Sequence, residues 1–252
     1  MISQAHASAP GDPATTAIPT PPRAQSRPAV VAALHDEAGT LTPRGKPLPA
    51  GVLAGISGVG PERAARTARE LIERGATTLL SWGTAGALDD TVRPGDLVIY
   101  GLVRSRDGAE YRCDEPWSAA LAARLAPLAP RIVTGSSSAS AVSADVGRKA
   151  LGAATGATVV DMESTALAAV AAAARIPFAV VRCVVDPVGF AFPQAALAGL
   201  APDGRTRAGK TVATLVRRPY ELLDLLRLAG WYRLALGRLR LAADRCLPDF
   251  AC

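Results

Sequence analysis

Several features that define common protein classes are scarce in this chain of 252 residues. Aromatic residues make up 4% of it, which leaves few side chains that could stack on nucleic-acid bases. The two histidines, His6 and His35, are too few for a histidine-based metal site. The four cysteines show no Cys-x-x-Cys or Cys/His spacing, and no apolar run approaches the roughly eighteen residues of a spanning helix. We therefore expect no nucleic acid, no metal and no bound cofactor.

Apolar residues are abundant, at 49% of the chain, enough to bury one large core. The net charge of +6 is concentrated near the C-terminus, where ten basic and three acidic residues fall between Arg205 and Arg245. The first 28 residues are rich in Ala, Pro, Thr and Ser and have no apolar signal-peptide core. The composition predicts a disordered leader over 1–28, one α/β domain over 29–218, and a basic amphipathic helical tail over 219–252.

The central unit of the chain is a pair of apolar runs that end at carboxylates. Residues 159–163 (VVDME) and 178–186 (FAVVRCVVD) flank an Ala-rich stretch that ends at Arg175. This pattern is typical of parallel strands buried on both faces and joined by a helix. With the other alternating segments, it predicts a three-layer αβα fold with a central mixed, largely parallel sheet. The carboxyl ends of such strands meet at one edge, where ligands bind.

Glu163 and Asp186 are the two carboxylates of interest at that edge. Two acids delivered to one site can divide the work of splitting a glycosidic bond, because one stabilises a sugar cation and the other protonates the leaving group. Each acid also has an ordinary interpretation. Asp161 and Glu163 suit the N-terminus of the helix that follows, and Asp186 before Pro187 suits a turn.

Two glycine-rich turns follow earlier strands. Gly55, Gly58 and Gly60 lie between a strand and a helix that begins near Pro61, where free backbone N–H groups favour an anion. The segment 83–86 (GTAG) offers a hydroxyl and backbone donors to an oxyanion or a sugar. Tight turns that require small residues explain both segments equally well.

Together these stretches resemble the nucleoside phosphorylase/nucleosidase family, which includes purine nucleoside phosphorylase and methylthioadenosine/adenosylhomocysteine nucleosidase. The stretches that carry the resemblance are residues 29–38 (AVVAALHDEA), 55–68 (GISGVGPERAARTA), 81–99 (SWGTAGALDDTVRPGDLVI), 159–171 (VVDMESTALAAVA) and 180–186 (VVRCVVD). The resemblance implies a nucleoside phosphorylase-like domain over 29–218. It also implies a small-molecule nucleoside substrate and a homo-oligomer.

The resemblance also implies roles for individual residues around the sugar and the base. Glu163 would bind the ribose 2′ and 3′ hydroxyls while Met162 packs on the sugar. Asp186 would be the catalytic acid that protonates N7 of the departing purine. Glu37 falls where hydrolytic members keep a carboxylate that orients water.

Four further residues match the region that holds inorganic phosphate, the co-substrate of the phosphorylases: Gly58, Gly60, Arg63 and Thr84. One departure from the family concerns the position just before the G-[ST]-x-G turn. Many phosphorylases place a phosphate-binding Arg there, whereas this chain has Ser81 and Trp82. Hydrolysis of the methylthioadenosine/adenosylhomocysteine type is therefore the alternative to phosphorolysis.

Within the family, residues 55–98 and the junction of Asp186 with Pro187 are most similar to the hopanoid-associated phosphorylases. Those enzymes are held to remove adenine from adenosylhopane during hopanoid side-chain elongation. The resemblance thus implies phosphorolysis of a 5′-substituted adenosine, adenosylhopane, by a cytoplasmic enzyme.

The C-terminal tail has a stripe of apolar residues at steps of three and four, with arginines outside it. The stripe consists of Leu225, Leu228, Tyr232, Leu236 and Leu239. A basic helix of this kind can lie on an anionic membrane surface, which predicts peripheral binding to the inner membrane face. The alternative is a terminal helix that docks on the domain through the same stripe. A non-catalytic membrane-surface binding protein is the competing function of a different class.

Overall fold

A computed structural model describes residues 27–42, 47–138 and 145–246 of the chain. In this part of the chain the strands are β1 (Pro28–Ala32), β2 (Leu53–Ile56), β3 (Thr78–Ala87), β4 (Leu97–Arg104), β5 (Glu110–Arg112), β6 (Arg131–Ser137), β7 (Val159–Asp161) and β8 (Phe178–Asp186). The helices are α1 (His35–Ala38), α2 (Pro61–Glu73), α3 (Glu115–Leu125), α4 (Asp145–Thr155), α5 (Ser164–Ala174), α6 (Gln194–Gly199), α7 (Ala208–Arg217) and α8 (Leu222–Cys246). Short 3-10 turns follow α3 at Ala126–Leu128 and precede α8 at Pro219–Glu221.

The strands form one mixed sheet in the order β2-β1-β3-β7-β6-β4-β5, and β8 pairs with both β3 and β4. Because β3, β8, β4, β6 and β7 pair in sequence and β7 returns to β3, this part of the sheet closes into a ring. The pairings of β1 with β2 and β3, of β3 with β8, and of β6 with β4 and β7 are parallel. The predicted mixed, largely parallel sheet is confirmed. The prediction that the strands at 159–163 and 178–186 run parallel was wrong, because β7 is antiparallel to β3 whereas β8 is parallel to it.

Helices cover both sides of the sheet. Alternate side chains of each strand point to opposite faces, so the two faces contribute to different core clusters. Val31 and Val180 belong to the core cluster that contains the buried side chains of α2 and α5. Val30 and Val181 belong to the other cluster, together with the buried side chains of α3 and α8. The predicted three-layer αβα arrangement follows from this alternation.

Strand β3 is longer than the sequence predicts. The sequence predicts that the strand ends before a turn at the GTAG segment (83–86), but the strand continues to Ala87. The extension pairs in parallel with β8 as far as Gly86 and in antiparallel fashion with β7 at Gly86 and Ala87. Closure of the ring requires these extra residues. The segment that reads as a turn in isolation therefore lies inside the sheet.

The helical tail predicted over 219–252 forms as α8, but it is not separate from the domain. Leu228, Leu236 and Leu239 are buried, and the last two belong to the core cluster of α3 and β8. The prediction that this stripe faces a membrane was therefore wrong, because the stripe is the face through which α8 packs on the domain. Residues 1–26 of the predicted leader and 247–252 of the tail lie outside the described residues, and Pro28 already begins β1.

Arg238 strengthens this docking, since its guanidinium donates to the carbonyls of Gly95 at 3.1 Å and Leu128 at 2.6 Å. It therefore ties α8 to two neighbouring loops instead of pointing towards a membrane. None of the described helices combines the length and apolar character needed to cross a bilayer.

Candidate active site

A cavity of about 480 Å³ lies at the carboxyl ends of β1, β3, β7 and β8. Five carboxylates line it. Asp36 is exposed, whereas Glu37, Asp161, Glu163 and Asp186 are buried. The predicted chemistry requires Glu163 and Asp186, from separate strand ends, to face one opening. The structure places both in this one cavity, with Met162 beside Glu163 in its wall.

Glu163 lies at the junction between β7 and α5, where it is the residue before the first helical turn. Its Oε1 accepts a hydrogen bond of 3.0 Å from the backbone N–H of Gly60, at the start of α2. Burial raises the pKa of Glu163 to about 7, against the opposing effect of Arg182. A carboxyl with this pKa changes its charge near neutral pH, so its ionisation responds to what binds beside it.

Arg182 is a buried cation bonded to Asp161 of the cavity wall, and it was not among the predicted site residues. Its Nε bonds to Asp161 Oδ2 at 3.1 Å, and its Nη2 donates to the hydroxyls of Ser81 at 2.7 Å and Ser164 at 3.2 Å. Only 2% of Arg182 is exposed. A single arginine within the otherwise apolar strand 178–185 was the available signal, because a buried cation requires an anionic partner.

Asp161 serves as that partner and also organises the start of α5. Its Oδ1 accepts from the backbone N–H groups of Glu163 at 3.0 Å and Ser164 at 2.9 Å. Although burial alone would raise the pKa of Asp161, Arg182 and the hydrogen bonds from Ser137 and Ser164 hold it below its usual value. Asp161 therefore stays ionised and fixes the backbone that carries Glu163.

Glu37 reaches the cavity from α1, directly after β1. Its Oε1 accepts from both the backbone N–H and the hydroxyl of Thr84, each at 2.8 Å. Burial raises the pKa of Glu37, and Arg182 opposes this rise. The neighbouring Gly83 makes the approach possible, since a Cβ there would lie 2.7 Å from the Glu37 carboxyl carbon and 2.5 Å from Arg182 Nη1.

Asp186 ends β8 and forms a buried ion pair with Arg148 of α4. The two side chains are 3% and 4% exposed, and Arg148 Nη1 also donates to the Pro187 carbonyl at 3.3 Å. Burial raises the pKa of Asp186 while Arg148 pulls it down. Arg148 also lines the cavity. The sequence did not point to it, because its helix belongs to no recognised motif.

Of the four predicted phosphate ligands, Thr84 lines the cavity and the other three do not. Arg63 is exposed and does not line the cavity, and the Gly60 N–H is already bonded to Glu163. Gly58 packs against the chain, since a Cβ there would lie 2.3 Å from the Pro202 carbonyl oxygen. Both Thr84 donors are bonded to Glu37. The assignment of these four residues to phosphate stays a prediction, and the donors of Gly60 and Thr84 have carboxylate acceptors within the protein.

The other end of the cavity is apolar. It is built by α6, α7, α8 and the segment before α6, and its larger apolar side chains are Phe192, Leu197, Leu200, Leu225, Leu228 and Tyr232. The site thus joins a charged end, at the strand termini, to an apolar end beneath three C-terminal helices.

The Phosphorylase superfamily model matches residues 50–218. The chain belongs to the Phosphorylase superfamily. The matched segment contains β2 to β8 and three of the cavity carboxylates, Asp161, Glu163 and Asp186. Superfamily membership and the fold make this chain an enzyme of the phosphorylase and nucleosidase type.

Solved structures of two nucleosidases and a futalosine hydrolase share the fold. The 5′-methylthioadenosine/S-adenosylhomocysteine nucleosidase of Campylobacter jejuni has a TM-score of 0.66 at 15% identity, covering 89% of this chain and 98% of that one. The S-adenosylhomocysteine nucleosidase of Streptococcus pyogenes has 0.62 at 18%, covering 89% and 98%. The futalosine hydrolase of Helicobacter pylori has 0.62 at 14%, covering 87% and 97%. No curated protein sequence matches the chain.

Proposed function

We propose that this enzyme cleaves the bond between adenine and ribose in a 5′-substituted adenosine. The observation that carries the proposal is that Glu163 and Asp186, from the ends of two different strands, line one cavity large enough for a nucleoside. Membership of the Phosphorylase superfamily supports the same reaction class. The reaction requires no metal and no organic cofactor.

Asp186 is the acid that protonates N7 of the departing purine. Its buried position favours the protonated form, which the reaction requires. Glu163 accepts hydrogen bonds from the ribose 2′ and 3′ hydroxyls, and its negative charge stabilises the positive charge that grows at C1′. Met162, in the same wall, packs on the sugar.

Water is the nucleophile that the site supports best. The Gly60 and Thr84 donors expected to hold phosphate are bonded to Glu163 and Glu37, so a phosphate ion would have to displace both carboxylates. Glu37 has a second oxygen, Oε2, whose partner is the Leu34 N–H at 3.2 Å. Glu37 orients the water and takes its proton as the new C1′–O bond forms and the C1′–N9 bond breaks. The products are adenine and the free 5′-substituted ribose.

The 5′ substituent is apolar in this proposal. The end of the cavity beneath α6, α7 and α8 offers leucines and aromatic rings, and burying apolar surface is favourable by about 25 cal/mol per Å². A charged or strongly polar substituent would lose its water there without gaining a partner. Adenosylhopane, the substrate implied by the sequence resemblance, has a substituent of this type.

The proposal is tested by measuring free base released from adenosylhopane, 5′-methylthioadenosine and inosine, each with and without inorganic phosphate. We expect adenine from the two 5′-substituted adenosines, a higher kcat/KM for adenosylhopane, and no requirement for phosphate.

Adenine release that depends on phosphate would identify a phosphorylase of the same fold and would contradict the assignment of water. Absence of base release from all three nucleosides would contradict the proposed function itself.

A further inference from the structure

Large apolar side chains are exposed on the segment that covers the apolar end of the cavity. Six of the eleven such side chains among the described residues fall between residues 212 and 226. We call them the apolar patch: Val212, Val216, Tyr220, Leu222, Leu223 and Leu226. Val216 and Tyr220 are 76% and 72% exposed. Such a concentration on one segment marks an interaction surface, whereas scattered exposed apolar residues are ordinary.

Helix α7 contributes to this patch without being part of the core. None of its ten residues is buried, although it contains Val212, Leu215 and Val216. The two valines lie four residues apart and so share one face of the helix. This exposed apolar face is therefore available to a partner.

The segment is nevertheless held in place, so the patch is not a loose end. The buried Glu221, in the turn between α7 and α8, accepts a 2.9 Å hydrogen bond from the backbone N–H of Ala195 at the start of α6. Arg218 bonds to the other oxygen of Glu221 at 3.1 Å. The turn is thus anchored on its inner side while Tyr220 and Leu222 face outward.

The charge around the patch selects its partner. Residues 205–227 contain six basic and two acidic side chains, and both acids are bonded to arginines of the same segment. Lys210, Arg217 and Arg227 are exposed on the two helices that carry the patch. A partner that accepts apolar side chains and compensates this positive charge is a lipid bilayer with anionic headgroups.

We propose that α7, the turn and the start of α8 form a membrane-docking surface for anionic lipid bilayers. Tyr220 suits the interface because its ring is apolar and its hydroxyl remains in the headgroup layer. This surface differs from the stripe that the sequence suggested, which is buried against the domain.

A second copy of the chain fits the patch less well. In a two-fold interface the same surface is used twice, so the basic segment of one copy would face the basic segment of the other. Repulsion between these charges disfavours that pairing, whereas anionic headgroups are attracted to it.

Docking through this surface would bring the apolar end of the cavity to the bilayer. Thr211 of α7 and Leu225 of α8 line the cavity, and their neighbours Val212 and Leu226 belong to the patch. A substrate with an apolar 5′ substituent resides in a bilayer and could pass from it into the site. This last step rests on the proposed function, whereas membrane docking itself does not.

The test is co-sedimentation of the full chain with vesicles of phosphatidylcholine, with and without phosphatidylglycerol, at low and high salt. We expect binding to the phosphatidylglycerol vesicles that weakens with salt. In Leu223→Asp/Leu226→Asp, the partition coefficient should fall about tenfold or more. The charge variant Lys210→Glu/Arg217→Glu should also lower the partition coefficient, and it leaves the apolar side chains of the patch unchanged. Ile132→Asp, at an exposed apolar side chain of β6 outside the patch, is the matched control and should bind like the wild type.

Adenine release from water-soluble 5′-methylthioadenosine, measured without vesicles, separates docking from catalysis. We expect both double variants to keep this activity, since none of their residues lines the cavity. Equal binding to neutral vesicles, or binding that survives both double variants, would overturn the proposal. If the wild type binds no vesicles and the patch variants instead change its oligomeric state, the patch is an interface between copies and the proposal is wrong.

Discussion

Arg148 and Asp186 form a buried ion pair at the end of β8, so the carboxyl assigned to the purine base lies against a guanidinium group. The positive charge lowers the pKa of Asp186, whereas burial raises it. An acid must be protonated to donate, and Arg148 therefore limits the pH range over which Asp186 can act. Because Arg148 acts through Asp186, it is a positioning residue.

Replacing Arg148 should extend activity to higher pH. In Arg148→Met the pKa of Asp186 loses its lowering influence and rises, so the alkaline limb of the kcat/KM profile should move up by about one pH unit or more. Arg148→Lys keeps a positive charge and should retain most of the wild-type profile. An alkaline limb at the same pH in all three proteins would exclude this coupling.

Replacing Asp186 should remove catalysis without unfolding the protein. A positioned general acid contributes about 10²–10⁴ in rate, and we expect Asp186→Asn to lose kcat by that factor. The variant should also lose about 3 kcal/mol of stability, because Arg148 keeps its charge in a buried place.

The double variant Arg148→Met/Asp186→Asn separates the two effects. It should recover stability in urea denaturation but not adenine release. Recovery of both would indicate that Asp186 serves structure alone.

Glu163 should make stability depend on pH. Its pKa is about 7 in the folded protein, above the ordinary value of 4.5 that it takes in the unfolded chain, so the unfolded chain ionises first as pH rises. The stabilisation that Glu163 contributes is complete below its ordinary pKa of 4.5, and it is lost as the pH rises through about 7. Relative to Glu163→Gln, the wild type should lose roughly 3 kcal/mol between about pH 5 and about pH 8. Urea unfolding of both proteins at the two pH values measures it, and parallel curves would contradict the raised pKa.

Glu37 should be needed for phosphate-independent turnover. Glu37→Gln keeps the shape of the side chain but cannot take a proton from water, so adenine release without phosphate should fall about 10²-fold. Thr84→Val removes one of the two hydrogen bonds that Thr84 donates to Glu37 and leaves the backbone donor, so its effect should be smaller. A Glu37→Gln variant with the wild-type rate would remove Glu37 from the mechanism.

The sequence was sufficient to predict the structural elements that are determined by residues close together in the chain. Strand ends that terminate at carboxylates, and a helix that starts at Pro61 after Gly60, could be recognised from neighbouring residues alone. Glu163 and Asp186 were predicted to share one edge as the ends of parallel strands. The cavity joins them, although β7 runs antiparallel to β3 and β8 runs parallel to it.

The features that were missed depend on contacts between distant segments. Arg148 meets Asp186 from a helix 38 residues earlier in the chain, with no motif around it. Thr84 was assigned to phosphate from the family resemblance, and nothing local in the sequence shows that both of its donors bond to Glu37. Likewise, the apolar stripe of α8 fits a membrane or a core equally well, and only its packing on β8 decides between them.

The most direct test of the central claim is a crystal structure of the protein with a non-cleavable adenosine analogue that carries an apolar 5′ group. We expect the ribose hydroxyls on Glu163, N7 of the base facing Asp186, and the 5′ group beneath α6, α7 and α8. A nucleoside bound outside the cavity, or inside it with Glu163 and Asp186 contacting neither sugar nor base, would contradict the account.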